Sequence, residues 1–303
     1  MVSADVFAQI EKMGELPSLP QTLLEIQKVA NDDRSSAEDL AACILRDQSL
    51  TARVLKVVNS AMYRRNNDEE IRTVHRAVIR LGFETVRKLA LGLSVFDMMS
   101  KLSRSPFLVE IARHSLVTAG IAQLLAETSG RVPAEESFVA ALIHDIGKVV
   151  LVECSPAAME EVFASGMAGD DGLIAERKVF GITHDRAGRR LARRWKLPVE
   201  LQNMIGDHHD FDPLAPPRNV EPALAVLVYA DALSRCDASK EGKARSAALT
   251  ERASRVLGIP VRRAEKLQDD AGEIVRELAD LVGLDLGDLR QYGCLVNTEG
   301  SVA

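Results

Sequence analysis

Apolar residues return every third or fourth position in QTLLEIQKVAND, in AEDLAACILRDQSLTARVLKVVNSA and in VRKLALGLSVFDMMS, and no stretch sustains period-two alternation. Both observations predict an all-α chain. Ser36 followed three residues later by Asp39 predicts a capping box at a helix start. Pro-rich and Gly-rich punctuation at ELPSLP (15–20), ASGMAGDDG (164–172) and FDPLAPPRNVEP (211–222) predicts loops between helices. After Asp237 the chain becomes strongly charged (ASKEGKARS). Periodicity then resumes in EIVRELADLVGL, where Ile274, Leu278 and Leu281 fall on one face of a C-terminal helical appendage.

Composition narrows what such a bundle does. With 47% hydrophobic and 27% charged residues the 303-residue chain is of globular type, and its net charge of −6 argues against general nucleic-acid binding. Aromatic residues make up only 4%, too few for base-stacking platforms. The longest charge-free run, Ser115 to Ala126, is too short to span a bilayer. The start, MVSADVFAQIEK, has no continuous apolar segment of the secretory kind, so the expectation is a cytoplasmic protein without membrane partners. Cys43, Cys154, Cys236 and Cys294 lie far apart with no C-x-x-C pair and are expected to be small filler.

The histidines carry the chemistry. Five of the six (His114, His144, His184, His208 and His209) fall between residues 114 and 209, most of them near a carboxylate. Imidazole and carboxylate without cysteine suit a divalent metal, with iron or manganese favoured. Glu110 and His114, four residues apart, share a helix face. His144 and Asp145 interrupt the apolar helix FVAALIHDIGKVVLV, and burial of both is costly without a partner such as a metal. Lys148 falls on the same helical side, where its ammonium meets an anionic oxygen or snorkels to the surface. Asp231, inside ALAVLVYADALS, asks for a cation, either a metal or Arg235. His184 opens the helix THDRAGRRLARRWKLP. On a continuing helix His208 and His209 point about 100° apart, which suits two neighbouring metals or one ligand and one substrate contact. The arginines from Arg186 to Arg194 read as a solvated face, with Arg186 or Arg190 a candidate phosphate contact. His75 is expected to lie away from the cluster.

HDIGK at 144–148, with His114 thirty residues upstream, resembles the HD superfamily of metal-dependent phosphohydrolases. LPSLPQTLLEIQKVAND, ILRDQSLTARVLKVVNSAMY, AVIRLGFETVRKLALG, ERKVFGITHDRAGRRLARRWKLP and the pair at 208–209 together resemble the HDOD family of bacterial signalling modules, over roughly residues 15 to 235. The resemblance implies an HD-type helical bundle. It divides the chain into an N-terminal helical part (1–106), a metal-binding bundle (107–236) and the appendage (237–303).

By similarity to HD-GYP phosphodiesterases, the implied ligands are Glu110, His114, His144, Asp145, His184, His208, His209 and Asp231, holding two ions. Such a site allows metal-assisted hydrolysis of a phosphoester, with Asp145 and Lys148 as the candidate catalytic groups and Lys148 and Arg186 as the candidate phosphate contacts. DFDPLAPP follows His209 in place of a GYP signature, which argues against a cyclic dinucleotide. Two functions are consistent with this pattern. One is a phosphohydrolase acting on a nucleotide or other phosphoester; the other is a regulatory scaffold, served by signalling partners, whose metal is structural or sensory.

Overall fold

The computed structural model describes residues 21–30, 34–60, 69–101, 106–164, 170–215, 220–260 and 267–287, together with Asp32, Tyr63 and Arg263. Every regular element among them is an α-helix, as the periodicity predicts. Helices α1 (Gln21–Ala30), α2 (Ala37–Leu45), α3 (Gln48–Asn59), α4 (Val74–Leu81) and α5 (Phe83–Lys101) form an N-terminal layer. Their starts are written locally. Ser36 accepts from the Asp39 N–H at 3.2 Å while the Asp39 carboxylate accepts from the Ser36 N–H at 2.8 Å, completing the capping box. Asp47 and Thr73 cap α3 and α4 by a single bond each, accepting from the N–H groups of Leu50 and Arg76. α4 stops at Gly82, whose φ of 90° disfavours any side chain. The buried stripe of this layer includes Leu23, Ile26, Leu40, Ile44, Val54 and Val58.

The central bundle follows with α6 (Pro106–Ser129), α7 (Ala134–Ile143), α8 (Ile146–Cys154), α9 (Pro156–Ala164), α10 (Asp170–Phe180), α11 (His184–Arg194), α12 (Val199–Asp207) and α13 (Pro222–Ser234). α6, α7 and α13 pack against one another, and α5 docks on α7. Residues 137–143 of α7 and 225–234 of α13 are all buried, so these two helices are enclosed rather than amphipathic. The appendage is α14 (Lys240–Leu257), on α13, and α15 (Leu267–Val282), which touches both α6 and α3. Close approach of α15 depends on Gly120, where a Cβ would sit 2.7 Å from Val275 Cγ2. Ile274 and Leu278 also face this point; the side chain of Leu281 and all of Cys294 lie outside the described residues. Cys43 and Cys236 are buried free thiols and Cys154 is partly buried. Among the described residues no helix is long and apolar enough to cross a membrane.

Two features of the bundle place the polar side chains. The apolar stretch 134–154 is broken at His144–Asp145, where Asp145 has φ −90° and ψ 12°. Just beyond, Gly147 lies directly under the start of α11, and a Cβ there would collide with the His184 carbonyl oxygen. Glycine at this position lets two backbones touch, and His184 is thereby delivered next to Asp145.

Candidate metal centre

Asp145 is fully buried and looks two ways. Its Oδ2 lies 3.5 Å from the Nε2 atoms of both His114 (α6) and His144, and 2.6 Å from Lys148 Nζ (α8). Its Oδ1 lies 3.1 Å from His184 Nε2 (α11) and 3.7 Å from His208 Nε2, which follows α12. Asp231 on α13 closes the first side, with Oδ1 at 3.0 Å from His114 Nε2 and 3.4 Å from His144 Nε2. His209 closes the second, its Nε2 3.1 Å from His184 Nε2, while His208 Nε2 stands 3.3 Å from the same atom. Two ligand-like groups result, one of His114, His144 and Asp145 and one of His184, His208 and His209.

The adjacent histidines were expected to diverge as on a continuing helix. They do not, because α12 ends at Asp207 and the two residues occupy a turn, with ring centroids 4.1 Å apart. Both imidazoles therefore converge on His184.

The outer nitrogens fix the state of the inner ones. His144 Nδ1 faces the Ala141 carbonyl and His208 Nδ1 the Ile205 carbonyl, each at 2.7 Å. A carbonyl only accepts, so each Nδ1 carries the hydrogen and a neutral ring presents a bare Nε2 lone pair inward. Those lone pairs face carboxylate oxygens, and acceptor against acceptor is repulsive without a cation between them. His144 Nε2 and Asp145 Oδ1 are accordingly buried atoms with no hydrogen-bond partner among the described residues. The donor set and its unsatisfied atoms fit divalent metal ions.

The surrounding charges differ from place to place. Burial would raise the Asp145 pKa, but His144, Lys148 and His184 together hold the carboxyl well below its usual range. Asp231, also buried, is held low chiefly by the Arg235 guanidinium, paired with it at 2.7 Å. Burial pushes His114 down to about 4. It acts against the charged form of His184 as well, yet the Glu176 carboxylate prevails and lifts that ring to about 9. His209 is driven down by burial and by its neighbours His208 and His184.

Not every expected residue joins the cluster. Glu110 is more than a third exposed in its side chain, faces Arg113 at 3.7 Å and belongs to neither ligand group. Four residues of helix separate it from His114 by about 6 Å along the axis. Arg186 is half exposed and pairs with Asp185 at 3.2 Å and Asp210 at 3.1 Å. Lys148 is a buried lysine and not a snorkelling one, at 6% exposure. His75 lies on α4, 3.8 Å from Glu38 and away from the cluster.

Sequence reasoning missed Glu176 and Ser234. Glu176, on α10, is 2% exposed and takes both the backbone N–H of His184 at 2.7 Å and its Nδ1 at 2.8 Å. Ser234 Oγ lies 3.3 Å from His114 Nδ1. A glutamate eight residues before a histidine, across a loop, carries no helical-face signal, whereas a serine three residues after Asp231 shares its face and was legible in principle.

The HDOD domain profile matches residues 16–211 of this chain. An HDOD domain protein of unknown function from Geobacter sulfurreducens has a similar structure, with TM-score 0.68, 25% identity and coverage of 91% of this chain and 96% of its own. A Shewanella amazonensis protein named as a candidate phosphohydrolase gives TM-score 0.66 and 27% identity over 90% of this chain and 98% of its own. Ribonuclease Y of Aquifex aeolicus is 29% identical over 255 residues, 82% of this chain and 35% of the enzyme. The chain spans 17% to 42% of the length of the curated relatives it matches. A profile covering well over half of the chain and an all-helical architecture shared over 91% of it with an HDOD protein lead to one assignment: the chain belongs to the HDOD family.

Proposed function

We propose that this protein is a divalent-metal-dependent phosphohydrolase acting on a nucleotide or another phosphoester. The observation that carries the reading is the position of Asp145, one oxygen facing His114 and His144 and the other facing His184 and His208. In this reading His114, His144 and Asp231 would hold one ion and His184, His208 and His209 a second, with Asp145 placed to reach either. Iron or manganese suits this cysteine-free set. Ions so held supply Lewis acidity toward a phosphoryl group and a water nucleophile near neutral pH.

The chain's own groups do the rest. The Ala141 and Ile205 carbonyls and the Glu176 carboxylate keep His144, His208 and His184 turned with Nε2 inward. Lys148 brings a buried ammonium against Asp145 Oδ2, from where it stabilises charge on a non-bridging phosphoryl oxygen. Arg186, half exposed beside Asp210, is a further phosphate contact on the outer side. The likeness to Ribonuclease Y, a nuclease by name, and to a candidate phosphohydrolase supports phosphoester chemistry.

Hydrolysis of bis(p-nitrophenyl) phosphate by the Mn²⁺- or Fe²⁺-loaded protein tests the proposal. Activity is expected to vanish with EDTA and in Asp145→Ala. A loaded protein inactive on diesters, monoesters and nucleoside triphosphates would instead favour a regulatory scaffold. One observation supports that second reading: the candidate ligands come from separate helices, α6, α11 and α13 among them, which a structural ion would tie together.

A further inference from the structure

Beside the imidazole-rich side of the centre lies a cavity of about 350 Å³. Its inner end is formed by His208, His209 and Asp231, the same side chains that face the centre. Phe211, Pro213, Val228 and Ala232 make an apolar wall, and two arginines, Arg235 and Arg245, line the cavity as well. Resting on the phosphohydrolase reading of the centre, we propose that this cavity takes a phosphoester of single-nucleotide size, and that Arg245 pairs with a second anionic group on it.

The two arginines are not equivalent. Arg235 is committed to Asp231 at 2.7 Å. Arg245 rises from α14, beyond the end of the family match at residue 211, is exposed, and makes no ion pair among the described residues. The later arginines of the same helix have structural partners: Arg252 donates to the Ala215 carbonyl at 3.2 Å, and Arg255 pairs with Glu251. Arg245 and Arg252 are seven residues apart and share a helix face. The bond to Ala215 therefore pins the loop that carries Phe211 against the face that carries Arg245. Asp212 also lines the cavity, and its Oδ1 is occupied by the Leu214 N–H at 2.8 Å.

Shape and chemistry together select the ligand. The Phe211 ring is held edge-on to Tyr229, centroids 6.3 Å apart, and Val228 and Ala232 lie one turn apart on α13. A wall of this kind suits a planar or apolar moiety. The volume sits at the lower end of the roughly 300–1,000 Å³ usual for ligand pockets, the end that suits a ligand as small as one nucleotide. A phosphoryl group at the inner end leaves the remainder of the ligand along the wall, toward the guanidinium of Arg245. Arginine is the side chain suited to bidentate pairing with a second phosphate or carboxylate.

Calorimetric titration of the Mn²⁺-loaded protein with adenosine 5′-monophosphate, adenosine 3′,5′-bisphosphate and a cyclic dinucleotide tests this. The bisphosphate is expected to bind about tenfold more tightly than the monophosphate, and Arg245→Ala is expected to bring the two affinities together. An unchanged ratio in Arg245→Ala, tighter binding of the cyclic dinucleotide, or no binding of any of the three by the loaded wild-type protein overturns the proposal. Bis(p-nitrophenyl) phosphate hydrolysis by the same samples keeps the two readings apart. Asp145-dependent hydrolysis without the affinity difference rejects only the cavity assignment, whereas the affinity difference without hydrolysis rejects only catalysis.

Discussion

The two sides of the centre share Asp145 but obtain their charge differently. The side of His114 and His144 has a second carboxylate, Asp231, pressed against both imidazoles. The side of His184, His208 and His209 has three imidazoles, and its nearest further anion, Glu176, stands behind His184. His114 and His184 are both buried, yet one is pushed down to about 4 and the other held up at about 9. Burial alone does not decide the outcome. His184 meets both Glu176 oxygens at 2.8 Å, whereas the carboxylate beside His114 is already paired with Arg235. Placement of counter-charge thus separates two otherwise similar clusters, one with its second carboxylate facing the imidazoles and the other with it behind them.

The largest expected effect removes what the sides share. Asp145→Ala leaves Lys148 and the imidazoles without their common anion, so stability should fall by about 3–5 kcal/mol. Elemental analysis should find the metal content of both sides lost together. Retention of one full equivalent would mean that the sides are independent.

Gly147→Ala should act on one side. The added Cβ meets the backbone of His184 and forces α11 away, at a cost of at least about 3 kcal/mol, the upper end of ordinary side-chain overpacking, because backbone atoms cannot rotate aside. Metal at His184, His208 and His209 is expected to be lost before metal at His114 and His144. Competitive chelation, followed ion by ion, checks the order.

Glu176→Gln is gentler, because it keeps the shape and removes only the charge behind His184. Such outer partners typically change metal affinity by about 10–100-fold, and the weakening should be confined to the second ion. Equal weakening of both ions would remove the distinction drawn between the sides.

The smallest effect belongs to a place remote from the centre. Thr73→Ala removes the cap of α4 and should cost about 1 kcal/mol in denaturant unfolding without altering metal content. Any loss of metal in this variant would show that the N-terminal layer and the centre are coupled.

These variants also mark how far the sequence could be read. Helical periodicity, the Ser36–Asp39 box and the histidine and aspartate members of the cluster are local features, expressed through spacings of three and four residues or through polar groups set in apolar runs. Glu110 shows the weakness of that logic, since sharing a face with His114 did not bring it into either ligand group. His208 and His209 show another, because a helix that stops at Asp207 changes where both rings point.

By itself, then, the sequence determined that the chain is helical, where several of its helices begin, and which residue types were available for a metal. These follow from hydrogen bonding and side-chain periodicity within a few residues. Tertiary structure alone decided that Asp145 stands between two groups of imidazoles, that Glu176 backs His184, and that Arg245 borders the cavity beside His208 and His209. The first and last of these join segments tens of residues apart, and the second crosses a loop between two helices. They depend on backbone contacts such as Gly147 against His184, whose direction no local spacing encodes.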